Sequence, residues 1–304
     1  MIHYNISYSK SGFKTQFRKV RLEPNEARVE KINLQKEFGL VEVVANPEAE
    51  VWLDNKLIGN TPKVLELQTV EHEIEIKKKN FRSVKNKVLP EFSKRKVLNI
   101  SLIEEKKARL LEAPSEYQNS AGIKLKLFNP EMDMLLLGAE RHEKGQRANE
   151  ITRKVLLEKP FYVSYHEISN KQFSMFNSSK QNDNFPVNNI SWFEAATFCN
   201  WLSKKENLEE FYIFKKNKLI DFNSSSNGYR LLTEAEWEWL SRKANKKERT
   251  IFSWGDSFEI PENYLNIADE STRGTQRNFV KNYNDGSENV SEIGSYDKEI
   301  SGLY

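Results

Sequence analysis

The sequence predicts a multidomain chain: all-β sandwich repeats first, then an α+β domain of short strands, capped helices and long polar loops. Three observations predict it. Two N-terminal stretches repeat each other 68 residues apart. Residues 39–106 alternate apolar and polar positions in short runs divided by turn residues. Three capping boxes, at Ser169, Ser191 and Thr233, each open an apolar-periodic segment.

The repeat comes first along the chain. ISYSKSGF at 6–13 recurs as IEIKKKNF at 74–81, and the same offset carries Val20 onto Val88, Val29 onto Val97, Ile32 onto Ile100 and Leu34 onto Leu102. No gap interrupts the register. The second copy can be read whole, from Gly39 to Lys106. Its strand segments are Val41-Val43, Val51-Leu53, Ile74-Ile76 and Val97-Ile100-Leu102. Period-2 alternation places one face inward and one outward. Asn46-Pro47, Asp54-Asn55 and Gly59-Asn60-Thr61-Pro62 supply the turns. Many short strands with regular turns make a small sandwich. Residues 1–38 carry only the second half of a copy, whose start is expected about 30 residues ahead of Met1.

NPEAEVWLDNKLIGNTP at 46–62 resembles the PEGA domain, whose signature is Pro-x-Gly-Ala, a strand, Asp-Gly, then Gly-x-Thr-Pro. Glu48 and Ala49 replace Gly-Ala, and Asn55 replaces the turn glycine. Asn tolerates φ > 0 better than other non-Gly residues, so a turn is still expected. The resemblance implies a β-sandwich module commonly found outside the cytoplasm, and no chemistry.

Composition bounds the partners. The 47 basic and 44 acidic residues nearly balance, so charge does not imply a nucleic-acid partner. The densest basic stretch, residues 77–96, reads as solvated strand faces, where lysine also blocks edge pairing; an anionic-polymer contact is the alternative. Aromatic residues are 12% of the chain, which excludes a disordered protein. The single cysteine, Cys199, permits no intrachain disulfide. No apolar run is long enough for a membrane helix, and residues 1–20 lack the apolar core of a signal peptide.

Residues 107–125 are expected to be a linker, charged and then rich in Ser, Asn, Ala and Gly, after a short helix over Glu104–Glu112 that Pro114 stops. In each capping box a hydroxyl satisfies a free first-turn amide, and a Glu or Gln three residues on reciprocates: Ser169 with Gln172, Ser191 with Glu194, Thr233 with Glu236. In the second helix Trp192, Ala195, Ala196, Cys199 and Leu202 share one face at 3.6 periodicity.

KPFYVSYHEISNKQF (159–173), FPVNNISWFEAATFCNWL (185–202), YRLLTEAEWEWLSRKA (229–244), FSWGD (252–256), NIAD (266–269) and IGSYDKEISGLY (293–304) follow one another in the order and spacing of the formylglycine-generating enzyme, or sulfatase-modifying factor, family. The resemblance covers residues 126–304 and implies a C-type-lectin-like α+β fold with little regular structure. Leu232 stands where the family has Pro. The family continues past Gly-Leu-Tyr into Asp-Met-x-Gly-Asn-Val-Trp-Glu-Trp and its redox cysteines, so the domain is expected to be incomplete at its C-terminus. Trp237, Trp239 or Trp254 is then expected to be partly exposed.

The resemblance also implies chemistry. Family oxidases convert a sulfatase cysteine using oxygen and copper(I) held by two thiolates, which suit that soft ion. One cysteine makes no pair; copper(I) is expected only if further cysteines follow Tyr304. Cys199 on an apolar helix face reads as a small buried hydrophobe. His3, His72, His142 and His166 show no metal-like spacing, and His72 and His166 fall in strand-like segments. No Ser/His/Asp set, phosphate loop or zinc spacing occurs. One ligand set carries over: calcium held by the Asn266 side chain, the Ile267 carbonyl, the Asp285 side chain and the Ser287 carbonyl, oxygen donors that suit this ion. The plain alternative is that Asp285-Gly286 is only a turn.

Two functions are expected. In the first, an extracytoplasmic (periplasmic or cell-surface) binding or structural protein uses its polar loops to contact a protein or a cell-envelope polymer, without catalysis in this chain. In the second, the chain is a fragment of a formylglycine-generating oxidoreductase acting on a protein cysteine.

Overall fold

The computed structural model describes residues 2–24, 26–181 and 183–304. The chain divides into two β-rich units, residues 1–113 and 114–304.

In the first unit β1 (Ile2–Tyr8) and β2 (Gln16–Leu22) form an antiparallel hairpin. Seven strands follow: β3 (Phe38–Asn46), β4 (Glu50–Leu53), β5 (Lys56–Asn60), β6 (Lys63–Gln68), β7 (His72–Lys77), β8 (Val84–Val88) and β9 (Arg95–Ser101). They make two sheets, in the orders β6-β3-β9 and β5-β4-β7-β8; β9 runs parallel to β3 and every other pair is antiparallel. The sheets share one core. Val41, Val43, Val51, Ile74 and Ile76 have no exposed surface, and each comes from the inward half of an alternating strand. Asp54 and Asn55 adopt φ of +46° and +66° in the β4–β5 turn, the double left-handed conformation of a tight hairpin. Asn55 thus does the work of the absent glycine. Basic residues of the stretch meet acids on or beside neighbouring strands: Lys85 with Glu73 and Lys87 with Glu71, both at 2.9 Å, and Arg95 with Glu42 at 2.8 Å. Residues 27–33, the counterparts of β9, form no strand. A parallel strand needs a partner for its backbone groups, and β9 finds its partner in β3.

The helix expected at the join is α1 (Glu105–Glu112). It is tied to the sheets by Arg82, whose guanidinium reaches Glu105 at 2.7 Å and Glu112 at 2.6 Å. Of the stretch expected as linker, residues 107–125, the first part is this expected helix. Residues 107–112 are helical, and residues 116–118 form β10 (Glu116–Gln118) in the second unit. The Asn119 side chain, accepting the amides of Ala121 and Ile123 at 3.0 and 2.9 Å, builds the turn that composition alone suggested was linker.

The second unit continues with β11 (Lys124–Phe128), β12 (Asp133–Leu137), β13 (Arg153–Leu157), β14 (Phe161–Ser164), α2 (Asn170–Ser174), α3 (Trp192–Lys205), β15 (Tyr212–Lys215), β16 (Lys218–Phe222) and α4 (Glu234–Arg242). A three-stranded sheet, β10-β11-β14, stands beside the hairpins β12-β13 and β15-β16. After α4 the described residues hold only a 3-10 turn, Glu270–Thr272. The three helices begin at their expected caps, each with a complete capping box. Replacing Ser191 by Ala should cost about 1 kcal/mol, read as a shift of the urea midpoint; an unchanged midpoint would mean that another group caps α3. This helix buries more than the expected stripe. Ala196, Cys199 and Leu202 are inside, but so are Phe198, Asn200 and Ser203, whereas Trp192 is half exposed. Asn200 explains the difference: its amide donates to Tyr212 O at 2.7 Å and accepts Tyr212 N–H at 3.1 Å, binding the helix to β15 as a ladder residue would. No helix among the described residues is long and apolar enough to cross a membrane.

Candidate functional site

The segment that opens α4 is tied by its own ion pair. Arg230 forms a bidentate pair with Glu236 at 2.7 and 2.6 Å. Glu236 also accepts the Thr233 amide at 2.9 Å. Burial pushes this carboxyl up; the Arg230 and Thr233 hydrogen bonds outweigh it and hold it below the ordinary value. One side chain thus closes the capping box and neutralises a half-buried arginine. Leu232 packs against the adjacent apolar cluster. Trp239 is buried with its indole N–H on Asp133 at 2.9 Å, while Trp237 is the exposed tryptophan of this helix. Beyond α4, the Lys246 ammonium gathers the carbonyls of Ser241 and Ser253, both at 2.7 Å, and the Thr250 hydroxyl at 2.9 Å. It closes the segment that presents the stacked rings of Phe252 and Trp254.

Two loops, 264–272 and 283–291, carry the expected calcium donors, and the structure brings them together. Asp285 accepts the Ile267 amide at 2.9 Å through one oxygen and the Ser287 amide at 2.8 Å through the other. Ser287 O accepts the Ser271 hydroxyl at 2.8 Å. Asn266 donates its amide to Asn289 O at 2.8 Å. Two residues without an expected role organise the pair. Asp269 is fully buried and accepts the Ser271 amide, the Ser271 hydroxyl and the Asp285 amide. Burial raises its pKa, but these donors prevail and hold it low. The Tyr283 hydroxyl accepts the amides of Tyr264 and Leu265 and donates to Leu265 O at 2.9 Å. Asp269 closes the Asn-Ile-Ala-Asp motif, so its position was visible in the sequence; its partners were not.

These donors fit calcium by chemical type: carbonyl and amide oxygens with one carboxylate. The Asp285 carboxylate is already faced by main-chain N–H groups, which supply part of the positive charge that a cation would bring. Among the described residues no three His, Cys, Asp or Glu side chains form a metal-holding group. The second of these loops borders an open cleft of about 410 Å³ lined by Phe185, Asp285, Ser287, Glu288, Glu292 and Tyr296, with further Asn, Ser and Val side chains.

Cys199 lies elsewhere, in a cluster with Ala196 and Tyr212. It is 8% exposed, and burial pushes its thiol up to about 12. The histidines are dispersed. His72 is held between Asp54 Oδ2 at 2.9 Å and Gln68 O at 3.1 Å. His166 stacks on Tyr304 with ring centres 4.2 Å apart, and burial lowers its pKa. His3 and His142 are exposed.

Comparison with known proteins agrees with this architecture. Residues 38–106 match the PEGA domain family. A curated relative, "Chaperone protein LppX" of Paenibacillus barcinonensis, is 27% identical over 164 residues, 45% of this chain and 58% of that protein; the chain thus spans little more than half of that relative. Among solved structures, Treponema denticola variable protein 1 shares 20% identity, with 63% of this chain and 73% of that chain covered and a TM-score of 0.45. PvdO from Pseudomonas aeruginosa shares 17%, with 63% and 70% covered and a TM-score of 0.42. Residues 126–304, more than half of the chain, match the sulfatase-modifying factor enzyme 1-like domain. The chain is therefore a member of the sulfatase-modifying factor family that carries a PEGA domain ahead of its family domain.

Proposed function

We propose that this chain is an extracytoplasmic binding or structural protein: PEGA-type sandwich repeats, the first of them the half copy at 1–38, carry a C-type-lectin-like domain that does not itself oxidise cysteine. The observation that carries this reading is the place of Cys199. Oxidation and copper(I) ligation both require an accessible thiolate. Cys199 is in the core, its thiol held protonated by burial, and the sequence has no second cysteine. The loops at 252–296, with the cleft between Phe185 and Tyr296, are the contact surface for a protein or a cell-envelope polymer. The test is incubation with a sulfatase-type cysteine peptide, copper(I) and oxygen. The peptide mass should be unchanged; conversion to formylglycine would favour the second reading, a formylglycine-generating oxidoreductase acting on a protein cysteine.

In this reading Asn266, Ile267, Asp285 and Ser287 would hold calcium through side-chain and main-chain oxygens, and the ion would stiffen the two loops. Asp285 is the only formal charge of the set, so affinity should be modest. Titration calorimetry should show calcium-dependent heat that Asp285→Ala abolishes. Absence of heat and of any calcium-dependent melting shift in the unaltered chain would dispose of the site.

A further inference from the structure

The β15–β16 hairpin lies between α3 and α4 in the chain and lines no part of the cleft. One side of it has its partners. Tyr212, Phe214 and Leu219 pack against Ala196 and Cys199 of α3, and Asn200 bonds the Tyr212 backbone. The rest of the hairpin meets solvent, and Asp221 is its single acid. Ile213, Ile220 and Phe222 are 41%, 58% and 49% exposed, and Trp192 at the start of α3 is 50% exposed. The aromatic residues are connected: Trp192 meets Tyr212 with ring centres 5.4 Å apart, and Tyr212 meets Phe222 at 6.0 Å. Ile220 is the extra residue of a bulge, between Leu219 opposite Phe214 and Asp221 opposite Ile213. A bulge re-aims the side chain it carries.

The tip adds charge. Lys215 lies directly opposite Lys218, and like charges so placed repel. Lys216 and Asn217 make the turn, with φ of +47° and +58°. The left-handed positions of such a two-residue turn favour Asn, Asp and Gly, so a lysine there costs backbone energy that an asparagine would not. All three lysines are exposed. Basic residues on other strands meet carboxylates, as Arg153 meets Glu234 at 3.4 Å and Lys85 meets Glu73 at 2.9 Å; among the described residues Lys215, Lys216 and Lys218 meet none. The hairpin thus gives up stability twice to hold three cations next to exposed apolar side chains.

We infer that this hairpin docks the chain on an anionic phospholipid surface: Lys215, Lys216 and Lys218 meet headgroup phosphates, while Ile213, Ile220 and Phe222 enter the boundary between headgroups and acyl chains. Such a surface offers negative charge and hydrocarbon within the depth of one amphipathic element. Lysine stems cross the apolar layer and bring their ammonium groups up to the phosphates, and aromatic rings such as Trp192 and Phe222 are favoured at that level. A soluble acidic polymer would satisfy the lysines and leave the isoleucines in water. An apolar protein groove would cover the isoleucines and leave three cations unpaired. The contact is peripheral and involves no membrane span. It rests on neither the cleft nor the calcium donors.

The test is flotation of the intact chain with vesicles of phosphatidylcholine containing about 30% phosphatidylglycerol, at about 0.1 M salt. The chain should float with these vesicles and stay behind with vesicles of phosphatidylcholine alone. One lysine near an anionic surface strengthens binding about fivefold. The variant with Lys215→Gln, Lys216→Gln and Lys218→Gln should therefore bind on the order of a hundredfold more weakly, and Ile220→Ser at least about fivefold more weakly. Lys85→Gln with Lys87→Gln, on the first unit, should bind as the unaltered chain does. Depth is read with an environment-sensitive dye on Ile220→Cys; Cys199 is buried and stays unlabelled. The dye emission should shift to the blue on the anionic vesicles, and the same dye on Ser9→Cys should not shift. No flotation at about 1 mM anionic lipid, equal flotation with neutral vesicles, or full binding by the triple Gln variant would overturn the proposal. Unchanged binding of Ile220→Ser, or equal dye shifts at the two positions, would also overturn it, and would mark a contact made through charge alone, as with an anionic polymer.

Discussion

Replacing Glu238 by Ala should destabilise the second unit by about 3–5 kcal/mol, the usual cost of removing one partner from a buried ion-pair network. Glu238 belongs to such a network with Glu143, Arg242 and Arg249, whose side chains are only 12–19% exposed. Arg242 reaches Glu143 at 2.7 Å and Glu238 at 3.2 Å, Arg249 reaches both acids at 3.4 Å, and Glu238 accepts the Gly138 amide at 3.1 Å. The variant would leave two guanidinium groups to share one carboxylate and a main-chain amide without its acceptor. Chemical denaturation should show the loss as a lower midpoint. A change below about 1 kcal/mol would mean that water replaces the carboxylate freely, as at an exposed pair. The network also sets an acid limit. Burial pushes the Glu143 carboxyl up, but Arg242 and Arg249 outweigh it and hold it below its ordinary 4.5. The unfolded chain therefore binds this proton more readily. The stabilisation is complete above pH 4.5 and is lost as pH falls through the lower folded value. Melting temperature should drop on that side, not on the alkaline side.

Phe173→Ala should cost a similar amount, about 3–5 kcal/mol, from lost burial and the cavity left behind. Phe173 is 1% exposed and is the largest fully buried side chain. Its ring contacts Phe176 and Phe198 with centres 5.4 and 5.0 Å apart, in a cluster that includes Ala121, Ile123, Leu125 and Leu202. It thus joins α2, α3 and the segment leading into β11. A cluster of rigid rings collapses poorly around a void, so the cost should lie at the upper end of the range. Phe173→Leu, which refills most of the volume, should recover more than half. If the two variants unfold at the same urea concentration, ring packing does not hold these elements together.

The legible parts of the sequence were those whose cause is local. A capping box spans four residues, so Ser169, Ser191 and Thr233 announced their helices directly. The Asp54-Asn55 turn needs only two left-handed residues, and Asn55 supplied one without being Gly. The strand at residues 116–118 and its turn were not legible because composition does not show the hydrogen bonds of Asn119. The stripe on α3 was incomplete because the partner of Asn200 is a backbone on another element.

The candidate site divides in the same way. The sequence by itself determined which oxygen-bearing residues the loops carry, Asn266, Ile267, Asp285 and Ser287, and that Cys199 has no partner thiol. Only the tertiary structure decided that Asp269 and Tyr283 knit those loops, that amides rather than a second carboxylate face Asp285, and that Glu143 meets Arg249 across 106 positions. The physical reason is range. Caps, turns and strand alternation are set by neighbours within a few residues, and their residue types record them. A loop's charge balance and a buried ion network depend on groups that the fold brings together from distant segments, and no spacing rule in the chain encodes which donor will meet which acceptor.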